Sequence, residues 1–125
     1  MTNRNDAPRD LFLVHPTDSA TVIELLLPDA LDPIEFDRLN DSLLTAIAVN
    51  PAGVWVLDLA GTSYMGSAVL GLLVNLRQRI KTSSGQLALC SLSPALLGIF
   101  HACSLQRLFL IAKSRDEALN NLRRN

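Results

Sequence analysis

The sequence predicts an α/β fold with a mixed, mostly parallel sheet of four to five strands and about four helices, in the order β-β-α-β-α-β-α-β-α. Short apolar runs rich in β-branched residues and leucine alternate with longer segments whose apolar residues recur at helical spacing. A turn alone separates the first two runs, which predicts a hairpin. The later strands alternate with helices, which favours parallel pairing through right-handed crossovers.

The first part of the chain predicts a hairpin followed by a helix. Leu11–Val14 and Thr21–Leu27 are the two strands, joined by a turn at residues 16–19. Asp32 followed by Pro33 predicts a helix start, because a capping carboxylate precedes a proline at the first helical position. The apolar positions of this helix are Ile34, Leu39, Leu43, Leu44 and Ile47.

The middle of the chain predicts a central strand and a second helix. Val54–Leu59 is nearly all apolar, as expected of a strand that is covered on both faces. The polar segment 60–63 is a loop, and the second helix covers Ser67–Lys81. Its core stripe consists of Val69, Leu72, Leu73, Leu76 and Ile80.

The last part predicts two further strand–helix pairs. The strand 86–90 precedes a helix that begins at Ser93-Pro94 and carries Leu96, Leu97, Phe100 and His101. Leu108–Ile111 is a short strand. Ser114 with Glu117 forms a capping-box pattern that starts the last helix, which extends through Leu122.

Length and composition indicate one small domain. The chain has 125 residues, of which 49% are hydrophobic, so residues 10–125 suffice for one domain with one main core. Residues 1–9 are polar and are expected to form a flexible tail. The net charge is −1, from 11 basic and 12 acidic residues, which argues against a nucleic-acid partner.

Hydropathy and cysteine usage favour the cytoplasm. No apolar run approaches the roughly 18 residues that span a bilayer, so stable membrane insertion is not expected, and the polar N-terminus lacks a secretory signal. Cys90 and Cys103 lie in apolar surroundings without metal-ligand spacing, so both are expected to be reduced structural thiols. We expect no metal and no cofactor.

Enzyme motifs are weak in this sequence. Gly61–Gly66 lacks the lysine of a nucleotide-binding loop, and Ser67 does not stand in a Gly-x-Ser-x-Gly elbow. His15 at a strand end and His101 on an apolar helix are expected to be structural. Asp58, inside the central strand, is either a catalytic carboxylate or a structural aspartate. We therefore do not expect an enzyme.

The chain resembles the STAS domain of anti-sigma factor antagonists over roughly residues 10 to 122. Residues 57–65 resemble the family's central strand and following loop, and Leu31-Asp32 stands where the family has Gly-Glu-Leu-Asp. Gly66-Ser67-Ala68-Val69 stands where the family has Asp-Ser-Ser/Thr-Gly. Further similar segments are 85–89, 105–109 and 116–119.

The resemblance implies a regulatory role for one serine. In that family the first serine of the motif is phosphorylated by a partner anti-sigma factor that is also a serine/threonine kinase. The unphosphorylated form binds this partner and frees sigma, and phosphorylation breaks the complex. The role transfers to Ser67, although Gly66 and Val69 depart from the motif. The alternative is a non-switched STAS scaffold or accessory subunit, of the stress-complex or lipid-transport type.

The start of the second helix is the candidate site. Ser67 is expected where backbone N–H groups lack partners, either as a helix cap or as a phosphate acceptor. Tyr64 and Met65 in the loop, with Leu70 and Val74 one turn apart, would form an apolar patch unless the last two pack under a neighbouring helix. The residues expected to contact the partner are Asp32, Tyr64, Met65, Gly66, Ser67, Leu70 and Val74. Oligomeric state stays open, a weak homodimer included.

Overall fold

The structure, a computed structural model, describes residues 11–123, with side chains through residue 122. The expected order is confirmed, and a short 3₁₀ helix is added between the third helix and the last strand. The elements are β1 (Phe12–Pro16), β2 (Thr21–Leu25), α1 (Pro33–Ala48), β3 (Val54–Asp58), α2 (Ser67–Thr82), β4 (Gln86–Cys90), α3 (Pro94–Ala102), the 3₁₀ helix (Leu105–Arg107), β5 (Leu110–Ala112) and α4 (Arg115–Arg123). The expected tail, residues 1–9, lies outside the described residues.

The five strands form one sheet in the order β1-β2-β3-β4-β5. β1 pairs antiparallel with β2, and every later pair is parallel, with Leu57 of β3 opposite Ile23 and Leu89. Each of α1, α2 and α3 connects two neighbouring parallel strands. Because such crossovers are right-handed and all move in one direction across the sheet, the three helices lie on one face. α4 follows the last strand and packs on the opposite face.

The sheet therefore separates two cores of different size. The larger core is built from leucine and isoleucine side chains of α1, α2 and the inward positions of the strands. The smaller core lies under α4 and uses mainly short side chains, which let the helix approach the sheet closely. Its buried members are Val22, Val56, Ala88, Cys90, Ala112, Ala118 and Leu122. Both faces of β3 are thus covered, as its apolar sequence predicts.

Side-chain caps begin three of the four helices at the predicted residues. The Asp32 carboxylate accepts from the N–H of Glu35 at 2.7 Å, and Glu35 accepts from the N–H of Asp32 at 3.2 Å. Ser93 accepts from the N–H of Leu96 at 3.1 Å. Ser114 accepts from the N–H of Glu117 at 3.1 Å. The remaining helix, α2, begins without a side-chain cap.

Several local expectations were wrong. Ile34 is 70% exposed, because it lies five residues before Leu39 and thus about 140° around the helix; Phe36 occupies the inward position instead. Cys103 is exposed and not buried, since α3 ends at Ala102 and its inward face ends at Phe100. The last strand is shorter than expected, because the 3₁₀ helix takes up the residues before it.

Within residues 11–123 no helix is long and apolar enough to cross a membrane.

Candidate functional site

The candidate site lies at the carboxyl ends of the parallel strands. The loop after β2, residues 26–32, runs beside the loop after β3, residues 59–66. Loops at this edge of an α/β sheet commonly form binding crevices, because neighbouring strands all end there.

Thr62 joins the two loops with a buried side chain. Its hydroxyl donates to the carbonyl oxygen of Leu25 at 2.9 Å and accepts from the N–H of Leu27 at 3.2 Å. These backbone groups belong to the point where β2 leaves the sheet, so the hydroxyl replaces the partners that the strand has lost. Gly61 permits this approach, since a Cβ there would lie 3.2 Å from the Leu25 carbonyl oxygen and 2.7 Å from a methyl of Leu26.

A second, exposed bond links the same loops. The Ser63 hydroxyl donates to the carboxylate of Asp29 at 3.0 Å. Together with the Thr62 bonds, this contact holds the two loops at two points. The loops are therefore placed by hydrogen bonds and not only by their attachment to the sheet.

A groove of about 260 Å³ lies between the two loops and the first turn of α2. Its apolar wall includes Leu27, Phe36 and Val69, and the buried Met65 also contributes to it. Polar groups of the loop ends, Asp29 among them, line its opening. The groove is therefore suited to an apolar side chain of a partner, surrounded by polar contacts.

Ser67 is the first residue of α2, beside this groove, and its side chain is exposed. The cap of the helix is Gly66, in an extended conformation with φ −78° and ψ 173°, and it offers no side-chain bond. The cap interpretation of Ser67 is therefore wrong. Within residues 11–122 its hydroxyl has no hydrogen-bond partner, so it is accessible at a helix start where backbone N–H groups are also available.

The structure brings together only part of the predicted contact set. Tyr64 and Ser67 are exposed and Gly66 is partly exposed. Tyr64 and Gly66 line the groove, and Ser67 stands between the lining residues Gly66 and Ala68. Asp32 is exposed at the start of α1, next to Leu31, which lines the groove. These four residues remain candidates for contact with a partner.

The expected apolar patch around Leu70 does not form. Leu70 is 7% exposed, Met65 is 2% exposed, and Val74 is partly buried against the larger core. Leu70 and Arg77 lie seven residues apart, close to two helical turns, so they share one side of α2. Arg77 contacts the carbonyl of Leu108, so this side faces the β5 half of the molecule, away from the groove.

Titratable groups elsewhere have structural partners. Asp58 ends β3 on the face covered by α4, where Arg115 binds its carboxylate at 3.0 Å. His15 contacts Glu24 at 3.0 Å across the hairpin. Burial raises the pKa of the Cys90 thiol to about 11. Residues 11–123 contain no group of three or more His, Cys, Asp or Glu side chains that could hold a metal ion.

Comparison with known proteins agrees with this fold. The family model of the STAS domain matches residues 17–118, and the chain therefore belongs to the STAS domain family. An anti-sigma-factor antagonist (STAS) domain protein from Planctomyces limnophilus is 26% identical, with a TM-score of 0.77 over 88% of this chain and 96% of that one.

Two further solved structures share the fold at lower identity. An anti-sigma factor antagonist from Mycobacterium paratuberculosis is 22% identical, with a TM-score of 0.75 over 90% of this chain and 92% of that one. The Bacillus cell fate determinant SpoIIAA, in its phosphorylated form, is 21% identical, with a TM-score of 0.64 over 89% and 98%. The family and the fold expected from the sequence are thus confirmed.

Sequence reasoning missed the residues that place the site. Thr62 and Ser63 read as ordinary loop residues, because their partners lie 37 and 34 residues earlier in the chain. Phe36 was also missed as a member of the inward stripe of α1. Its spacing of three residues before Leu39 is the signal that could have found it.

Proposed function

We propose that the protein is an anti-sigma factor antagonist whose partner is an anti-sigma factor with a serine/threonine kinase domain. In this proposal the unphosphorylated protein binds the partner across the groove, and phosphorylation of Ser67 breaks the complex. The observation that carries the proposal is the exposed Ser67 side chain at the start of α2, beside a groove with an apolar wall. The role is one of binding in the cytoplasm and requires no catalysis by this chain.

The charges around Ser67 explain why a phosphate would act on the partner. A phosphate adds about −1.5 to −2 charges at neutral pH. Residues 27–36 and 59–76 contain no lysine or arginine, whereas Asp29 and Asp32 are both exposed. The start of α2 stabilises an anion, so the domain stays folded. A partner over the groove would have to desolvate the phosphate, which lowers its affinity.

The comparisons support the class of function. The relative from Planctomyces limnophilus is described as an anti-sigma-factor antagonist, and it aligns over 88% of this chain. SpoIIAA has been solved in unphosphorylated and phosphorylated forms. These properties belong to those proteins, and their transfer to this chain is part of the proposal.

A phosphorylation assay with matched serine variants tests the switch. The protein is incubated with its cognate kinase-type anti-sigma factor and ATP, and the products are mapped by mass spectrometry. We expect one phosphate, on Ser67, which disappears in Ser67→Ala and persists in Ser63→Ala. Ser63 is a suitable control because it is also exposed and lies four residues before Ser67, in the loop that leads into α2. Phosphate on another residue, or on none, contradicts the switch.

A non-switched scaffold is the second candidate, and Gly66 is the observation that favours it. The motif aspartate is absent, and α2 has no side-chain cap where the family places that carboxylate. Ser67→Asp and its neutral counterpart Ser67→Asn distinguish the two functions by isothermal titration with the anti-sigma factor. A switch predicts about 100-fold weaker binding of Ser67→Asp than of Ser67→Asn, close to 3 kcal/mol. A scaffold predicts equal affinities.

A further inference from the structure

A second recess lies at the opposite end of the sheet from Ser67. β4 begins at Gln86, but β5 pairs with it only from Ala88 onward. The edge of β4 at its first two residues is therefore not covered by β5. A cavity of about 250 Å³ occupies this position, which we call the β4–β5 notch. It is lined by Leu87, Leu108, Leu110, Arg77, Lys81 and Leu122, together with residues of the turn before β4.

The notch exposes large aliphatic side chains. Leu108 and Leu110 are each 38% exposed, and Leu87 beside them is only partly buried. Leu87 and Leu110 belong to opposite faces of the sheet, since Leu110 pairs with Ala88, and both line the open sheet edge together with Leu108. The three leucines therefore give the cavity an aliphatic lining. Such a surface with a charged border is typical of a contact site for another protein.

The border of the notch is positively charged. The Nε of Arg77 donates to the carbonyl oxygen of Leu108, which fixes the guanidinium beside the leucines. Lys81 lies one turn further along the same side of α2 and is exposed. Across residues 11–122 neither cation forms a salt bridge, and no carboxylate lines the cavity. The two charges are therefore available to a bound anion.

From this pairing of exposed leucines with unneutralised cations, we propose that the β4–β5 notch binds a protein segment with aliphatic side chains and neighbouring carboxylates. The aliphatic side chains would cover Leu108 and Leu110, and the carboxylates would bind Arg77 and Lys81. The notch lies at the amino ends of the parallel strands, whereas Ser67 lies near their carboxyl ends. Both sites can therefore be occupied at once, and this proposal stands independently of the anti-sigma role.

Titration of isotope-labelled protein with two model peptides tests the proposal by NMR. One peptide alternates leucine with glutamate, and the other is its equivalent with lysine in place of glutamate. We expect the glutamate peptide to shift the amide signals of Lys81, Leu87, Leu108 and Leu110, and its binding to weaken as salt is added. The lysine peptide should bind at least about tenfold more weakly.

Two notch variants and one matched control locate the site. Lys81→Gln and Leu110→Ser should each weaken the glutamate peptide by about fivefold or more. Arg79→Gln should change its affinity less than about twofold, since Arg79 is equally charged but lines a different cavity, between α1 and α2. Unchanged far-ultraviolet circular dichroism verifies folding of each variant.

Three results would overturn the proposal. The first is absence of glutamate-peptide binding, or equal binding of the lysine peptide. The second is an effect of Arg79→Gln as large as that of Lys81→Gln. The third is that phosphatidylglycerol vesicles shift the notch signals while the peptide does not, which would make the notch a lipid contact.

Discussion

Arg115, the first residue of α4, forms a salt bridge and one hydrogen bond, from its Nε, with a single carboxylate oxygen of Asp58, the last residue of β3. The Oδ2 atom lies 3.0 Å from Nη2 and 3.1 Å from Nε. The other oxygen, Oδ1, accepts from the N–H of Ala60 at 3.0 Å. Asp58 is only 6% exposed, so these bonds compensate the removal of its charge from water. The pair ties the final helix to the central strand.

Removal of this cation should destabilise the domain. In Arg115→Met the side chain keeps its aliphatic part, but Asp58 loses its counter-charge. We expect the free energy of unfolding to fall by about 2 kcal/mol, less than for a fully buried pair because Arg115 is partly exposed. Urea denaturation measures the change. Lys113→Met is the control and should alter stability by less than about 0.5 kcal/mol, since Lys113 is exposed and, in the described part of the chain, forms no salt bridge.

Thr62→Val should affect both stability and the candidate site. Valine has nearly the same shape, but it leaves the carbonyl of Leu25 and the N–H of Leu27 buried without partners. The cost should be about 2 kcal/mol in urea denaturation. Because the hydroxyl also positions the two loops, binding of the anti-sigma factor should weaken at least about tenfold. Thr62→Ser retains the hydroxyl and should bind normally; equal loss in both variants would mean that the methyl group matters instead.

Gly66→Asp should stabilise the start of α2. The backbone at this residue is already extended, and a Cβ would meet no atom within 4 Å, so an aspartate fits and can cap the helix. We expect a gain of about 0.5–1 kcal/mol from the cap and the helix dipole. Gly66→Ala is the control, because it adds the Cβ without the carboxylate, and it should not increase the free energy of unfolding. Thermal and urea unfolding of both variants test this, and equal stability of the two would exclude a cap.

The same aspartate should make phosphorylation of Ser67 less favourable for the domain. The phosphate would then stand next to a carboxylate at the position where wild type has only a glycine. We expect the phosphorylated Gly66→Asp protein to lose part of the stability gained by its unphosphorylated form. A phosphorylated form that is as stable as the unphosphorylated variant would contradict this reasoning.

Cys90 should make stability depend on pH in the alkaline range. Burial raises its pKa from the ordinary value of 9.0 to about 11. Above pH 9 the thiol ionises in the unfolded chain but stays protonated in the folded one, so the unfolded state binds fewer protons. Stability is therefore lost between pH 9 and pH 11, by up to about 3 kcal/mol. Urea denaturation of wild type and Cys90→Ala across this range should give converging curves; parallel curves would exclude the effect.

Element order was predictable because the signals for it are local. Spacing of apolar residues located the helices, and caps such as Asp32 and Ser93 located their starts. Periodicity was less reliable within α1, where Ile34 and Phe36 are both apolar near the helix start and only one of them points inward. The apolar character of a residue alone does not determine whether it lies on the side of the helix that packs against the sheet.

The sequence predicts Asp32, Tyr64, Gly66 and Ser67 as candidates at this site, through the resemblance of its motifs, but not the contacts that position them. Thr62 bonds to β2, and Arg115 bonds to Asp58. Each of these bonds joins residues more than 30 positions apart, so no short-range sequence pattern predicts it. The sequence leaves open whether Leu70 is exposed or packed under a neighbouring helix, because the number of helices packed around α2 is a property of the completed fold. Long-range contacts of this kind set the shape of the groove.

The opposite charges at the two ends of the sheet have a kinetic consequence. Asp29 and Asp32 lie near the groove, whereas Arg77 and Lys81 border the notch, so the two surfaces carry local charges of opposite sign. A charged protein approaching by diffusion would be turned before contact, with its basic surface directed to the groove or its acidic surface to the notch. The orientation of encounter would then be selected at long range, and added salt would slow association more than it speeds dissociation.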